Sequence, residues 1–227
     1  MKKSDIIAVL ILGEISSWLI LAIIKGFLKP EIYAKLSNIL QWTLPIIFPL
    51  ACLIFLYSAL IIAKKIAVFS QIAKFILVGG FNTLVDWGIL SLLILVFRKS
   101  SNVGPDDVWF NIFSLTIVYY SFFKAISFII ATTNSYVWNK FWTFRRKTTE
   151  KLTTEFLQFI VISVLGFLIN VGIASGIFRF ITPVGGLNYS QWGIVAAAIA
   201  TLVSLTWNFI GYKFIVFEQK NDQLSSI

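Results

Sequence analysis

Asp86 and Lys124 carry opposite charges and each sits deep inside a long apolar stretch. Counted along straight helices, each lies 14 residues from the same end of its stretch, about 21 Å at 1.5 Å per residue. Opposite charges thus reach equal depth on neighbouring antiparallel helices. A lone charge at mid-bilayer costs at least about 2.5–3.5 kcal/mol, and pairing lowers that cost. Two readings fit. The pair is a structural bond that fixes helix packing, or its amine attracts an anion while the carboxylate holds and releases it. Asn82 lies four residues before Asp86, on the same helical face. Gly79 and Gly80 precede it, and close packing by a neighbouring helix is the simplest use of such residues.

A second group is basic and borders the apolar stretches. Asn139, Lys140, Arg145 and Arg146 follow one stretch; Asn208 and Lys213 follow another. An arginine fork and a lysine point charge both suit phosphate-like anions. Trp138, Trp142 and Trp207 stand beside them and are expected in the aromatic belt at the headgroups. Glu14 lies in the first apolar stretch without an evident partner. Asp106 and Asp107, in a Gly-Pro turn, read as a solvated loop.

Composition restricts the chemistry further. Of 227 residues, 58% are hydrophobic and 13% charged, and mean hydropathy is +0.88. A soluble domain holds about 45–50% apolar and about 25% charged residues. The chain is therefore an integral membrane protein. It has no histidine and one cysteine, Cys52, which reads as a buried hydrophobe. No metal or cofactor is expected from such a set, and no nucleophile–base pair suggests an enzyme. The net charge of +9 fits basic flanks on anionic membrane lipids rather than nucleic acid.

Six stretches are long enough to span, at 6–24, 43–63, 72–97, 111–138, 156–181 and 192–211. In lipid they must be helices, since each segment has to satisfy its own backbone. The first is read as a retained helix and not a cleaved leader. Pro45 and Pro49 are expected to kink the first half of the second; residues 29–41 are expected as a short interfacial helix before it. With six spans, Lys2, Lys3, Lys64, Lys65, Lys74, Lys140, Arg145, Arg146, Lys147, Lys151, Lys213 and Lys220 share one side. Lys25, Lys29, Lys35, Arg98, Lys99 and Arg179 share the other. The positive-inside rule then puts both termini in the cytoplasm.

The chain repeats itself. Ile130-Ala131-Thr132-Thr133-Asn134-Ser135-Tyr136-Val137-Trp138-Asn139 returns as Ile199-Ala200-Thr201-Leu202-Val203-Ser204-Leu205-Thr206-Trp207-Asn208, 69 residues on. At a spacing of 84, Phe75-Ile76 matches Phe159-Ile160 and Asp86 matches Asn170. Each unit is then two helices, and an even number of spans gives the two copies the same orientation. The expected fold is all-α: six transmembrane helices, with a four-helix core of two parallel two-helix repeats plus an N-terminal helix pair. The divisions are 1–68, 69–218 and a cytoplasmic tail at 219–227.

The run Val78-Gly79-Gly80-Phe81-Asn82-Thr83-Leu84-Val85-Asp86 resembles the opening helix of the GtrA-like family. Asn139-Lys140-Phe141-Trp142-Thr143-Phe144 resembles the end of that family's second helix, and 208–214 its closing segment. Two features differ: two helices precede the match, and Lys140-Phe141 stands where two basic residues are common. The resemblance implies a small inner-membrane protein that moves polyprenyl-phosphate-linked sugars outward for surface glycan assembly. With the charge, depth and repeat positions above, Asn82, Asp86, Lys124, Asn134, Asn139, Lys140, Arg145, Arg146, Asn170, Asn208 and Lys213 are expected to meet the lipid. Four core helices are few to enclose a path, which is consistent with a homodimer. A rival reading is a non-transporting anchor for a polyprenyl-phosphate glycosyltransferase. A small-solute exporter of four-helix type is a third, opposed by the one-sided basic count.

Overall fold

The computed structural model describes residues 1–146 and 152–218. Lys147, Lys151 and Lys220 of the charge count, and the tail at 219–227, lie outside the described residues. The chain divides into two compact units, Met1–Thr143 and Phe144–Ile227.

The first unit opens with α1 (Lys3–Phe27), α2 (Pro30–Ala63) and α3 (Val68–Ser101). A hairpin of β1 (Val108–Ile112) and β2 (Leu115–Val118) follows, then α4 (Tyr119–Trp138) and a π-helical segment, Asn139–Thr143. α1 packs on α2 and α3, and α3 packs on α4. Ala8, Val9, Leu12, Leu56, Ala73, Val78, Phe81 and Trp142 form the buried core between them. The helices at 1–68 thus pack on α3 within this unit. α1 and α2 approach closely at Gly13, where an added Cβ would lie 2.5 Å from Pro49 Cα; only a residue without a side chain fits there.

Two expectations change here. Residues 29–41 are not a separate interfacial helix. α2 is continuous from Pro30, a proline in its first turn where the missing N–H costs nothing, and it runs on through Pro45 and Pro49. Nor does the fourth span begin at residue 111. Val108–Ile112 and Leu115–Val118 pair antiparallel, with Asn111 opposite Thr116. Their β-branched and aromatic residues read equally well as apolar span or as strand, and the turn at Phe113 (φ 50°) decides for strand. α4 therefore starts at Tyr119, and its 20 residues cover about 30 Å, still the thickness of a hydrocarbon core.

The second unit holds α5 (Leu152–Phe180), α6 (Tyr189–Gly211) and a second π-helical segment, Tyr212–Val216. Gly185 and Gly186 turn the chain with positive φ. Asn188 and Gln191 then start α6 with a reciprocal capping box: Gln191 N–H donates to Asn188 Oδ1 at 2.9 Å, and Asn188 N–H to Gln191 Oε1 at 3.0 Å. Phe159 stacks on Tyr212 at 4.2 Å between centroids.

Among the described residues, α1, α2, α3, α5 and α6 are long and apolar enough to cross a membrane. The chain is a multi-pass membrane protein. α4 has the length but not the composition, because its faces carry Lys124, Asn134 and several hydroxyls.

Candidate functional site

Along the α3–α4 contact of the first unit runs a polar seam. Lys124 donates from Nζ to Asp86 Oδ2. Ser127 Oγ donates to the other carboxylate oxygen at 2.7 Å. Ser127 lies three residues after Lys124 and is fully buried, so one face of α4 supplies both donors. The Asp86 side chain is 17% exposed and that of Lys124 is 39% exposed. The carboxylate is thus fixed inside while the amine stays reachable. One turn along the seam, Asn134 Nδ2 donates to Asn82 Oδ1 at 3.4 Å, near the outer limit of a hydrogen bond.

The glycines beside this seam do not pack as expected. A Cβ on Gly79 or Gly80 would meet nothing within 4 Å. Helix packing is therefore not their use within the first unit, and the surface there is open.

At the other end of α4 the geometry departs from an exposed basic rim. Lys140 is 3% exposed and donates to Tyr136 Oη at 3.1 Å. Asn139 is 1% exposed; its Nδ2 turns back to the Ser135 carbonyl at 2.9 Å. Its Oδ1 and the Thr143 hydroxyl are buried without a hydrogen-bond partner among the described residues. Both lie on the π-helical segment, four residues apart. Such segments recur at functional positions, because a widened turn re-aims its side chains.

The same segment carries a contact that reading the sequence missed. Lys74 Nζ lies 2.5 Å from Asp5 Oδ1, and Trp142 Nε1 donates to the same oxygen at 3.1 Å. The Lys74 amine also lies 5.4 Å from the centre of the Trp142 ring, a cation–π distance. All three residues are buried. Trp142 and Lys74 thus face protein and not the lipid headgroups directly. No local spacing links Asp5 to either partner. The one signal was an acid in the first turn of the first helix.

The second unit holds a polar contact of its own between α5 and α6. Asn170 Nδ2 reaches Thr201 Oγ1 at 3.3 Å and Ser204 Oγ at 3.2 Å. Like Asp86, it meets two side chains three residues apart on the following helix, but without charge. Asn208 faces Gly166 so closely that a Cβ there would strike its amide. Its Oδ1 is buried without a hydrogen-bond partner among the described residues. Trp207 Nε1 donates to the Ile162 carbonyl at 3.2 Å, while 37% of the residue stays exposed. Lys213 lies over the rings of Phe209 and Phe214. Arg146 donates to the Glu218 carbonyl, and its Nε lies 3.8 Å from Glu155 Oε2. Arg145 takes a left-handed φ of 54°.

The π-helical segments begin at Asn139 and Tyr212, 73 residues apart. The I-A-T motifs are 69 apart. At 73, Lys140-Phe141 falls on Lys213-Phe214 and Phe144 on Phe217. The two pairings differ by four residues, about one helical turn.

Residues 74–217 match the family described as GtrA/DPMS, transmembrane domain. The chain belongs to this family. No solved structure matches it. The GtrA/DPMS match begins at Lys74 and takes in the whole α3–α4 seam and both π-helical segments. α1 and α2 lie outside it, so the Asp5–Lys74 bond joins an added helix to the first residue of the GtrA/DPMS segment.

Proposed function

We propose that the protein translocates a polyprenyl-phosphate-linked sugar across the cytoplasmic membrane for cell-surface polysaccharide or glycan synthesis. The observation that carries this reading is the Lys124 amine: held by Asp86, yet 39% exposed at the side chain. An ammonium group has three N–H donors. One goes to Asp86, and two remain for an anionic headgroup. Ser127 holds the carboxylate still, so the amine can exchange partners without the acid moving. Asn82 and Asn134 extend the polar seam by one turn, and their long hydrogen bond opens at little cost. The polyprenyl tail stays in lipid, beside the open surface at Gly79 and Gly80.

Both termini are cytoplasmic in this reading, and α4 crosses the membrane as the fourth of six spans. Arg145, Arg146 and Lys213 attract the lipid phosphate, and buried Lys140 adds positive potential; Asn139, Asn170 and Asn208 are polar supports. The protein transports without catalysing a reaction. The test is transport of a polyprenyl-phosphate sugar in liposomes bearing the Lys124→Ala protein. Undiminished transport removes Lys124 from the mechanism.

A second reading draws on the family's description, which joins GtrA to a DPMS transmembrane domain. Here the protein anchors or partners a polyprenyl-phosphate glycosyltransferase and transports nothing. Co-purification of such an enzyme, with no transport by the isolated protein, favours it.

A further inference from the structure

Beside the close contact of Gly13 with Pro49, α1 and α2 part to form a groove lined by Leu10, Ile11, Glu14, Ile15, Pro45, Ile46, Pro49 and Leu50. Glu14 is its one ionisable group. It lies 11 residues into α1, about 16 Å along the axis, close to the middle of a bilayer of about 30 Å. Trp18 Nε1 donates to Glu14 Oε1 at 2.8 Å; the residue is otherwise exposed. A carboxylate in this position is expensive unless something covers it.

The rest of the groove lining is apolar. The groove therefore offers one carboxylate in apolar surroundings, and the Trp18 donor beside it is already in use. Its complement is a cation or a strong donor at mid-membrane depth. Acyl chains carry no donor, and lipid amines lie at the headgroups, too shallow to reach Glu14. A second copy of this chain is a poor fit. Its Lys74 is buried against Asp5, and its Lys124 amine is already shared with Asp86, so a basic residue with no carboxylate of its own fits Glu14 better.

We propose that the α1–α2 groove docks a transmembrane helix of a partner protein, one that presents a lysine or arginine to Glu14. The site lies outside the matched segment 74–217 and does not depend on the transport reading. It gives the added helix pair a role: recruitment of a second membrane protein.

The test uses the full-length protein, labelled for energy transfer, in liposomes with a synthetic poly-leucine transmembrane peptide. One peptide carries a single central lysine and the control has leucine there. The lysine peptide should associate about tenfold more tightly, the scale of one interhelical polar contact in lipid. Glu14→Gln, which keeps the acceptor for Trp18, should remove that preference. Ile46→Trp, which fills the groove and leaves the carboxylate in place, should remove it as well. Equal association of both peptides with the wild-type protein overturns the proposal, as does a preference that survives both substitutions. Energy transfer between two labelled copies that Glu14→Gln abolishes also overturns it, since the groove then belongs to a second copy. Lys124→Ala should leave the preference intact, which separates this site from the transport seam.

Discussion

Asp5 Oδ1 and Lys74 Nζ lie 2.5 Å apart, and this buried bond ties α1 to the first residue of the matched segment. The indole of Trp142 shares the same oxygen. Removing one partner leaves a buried charge alone, which costs about 3–5 kcal/mol, whereas replacing both by apolar residues is often near neutral. Asp5→Ala should therefore lower thermal stability in detergent sharply. The double substitution Asp5→Leu with Lys74→Met should recover most of the loss. Equal stability of Asp5→Ala and wild type would show that the bond contributes nothing.

In the seam, Ser127 and Lys124 hold opposite oxygens of Asp86. Loss of Lys124 removes a charged contact worth about 1.5–3 kcal/mol, roughly ten- to a hundredfold in transport rate. Ser127→Ala removes a neutral donor and should cost less, with the amine still in place. Initial rates of lipid-sugar transport in liposomes check the order. A larger loss for Ser127→Ala than for Lys124→Ala contradicts it.

Two glycines should respond in opposite ways to alanine. At Gly166 the new methyl strikes the Asn208 side chain, so Gly166→Ala should destabilise the second unit, by about 1–3 kcal/mol for an overpacked contact. At Gly79 a methyl meets nothing; Gly79→Ala should be neutral or stabilise by about 0.5–1 kcal/mol through helix propensity. Melting of the two variants in detergent separates these outcomes. Reduced transport by a stable Gly79→Ala protein would place substrate against that open surface.

The orientation reading gives a labelling pattern. A cysteine placed at Asp106, in the turn before the hairpin, should react with an impermeant maleimide from outside intact cells. One placed at Arg145 should react only after the membrane is opened, in a Cys52→Ala background. The reverse pattern inverts the protein.

Sequence reasoning succeeded where depth alone decides. Asp86 and Lys124 could be paired because two opposite charges cannot sit unpaired at equal depth in hydrocarbon. Ser127 was within reach of the same argument, one turn from Lys124, but hydroxyls are common in apolar helices and give no depth signal. Asp5 was illegible for a different reason. Acids near a helix start are ordinary, and its partners lie 69 and 137 residues away. The hairpin was missed because Val, Ile, Trp and Phe at 108–118 satisfy both a span and a strand. Trp142 and Lys140 were read as headgroup residues from composition, whereas the π-helical turn carries both inward.

The distance between Asp5 and Trp142 along the chain bears on how the protein is made. At about 5–20 residues per second, on the order of ten seconds of synthesis separates the acid from its indole partner. Lys74 emerges between them. The acid and its amine therefore both leave the ribosome before the indole does, so the ion pair is free to form first. Biogenesis of the first unit ends, on this order of events, with the last turn of the chain that builds it.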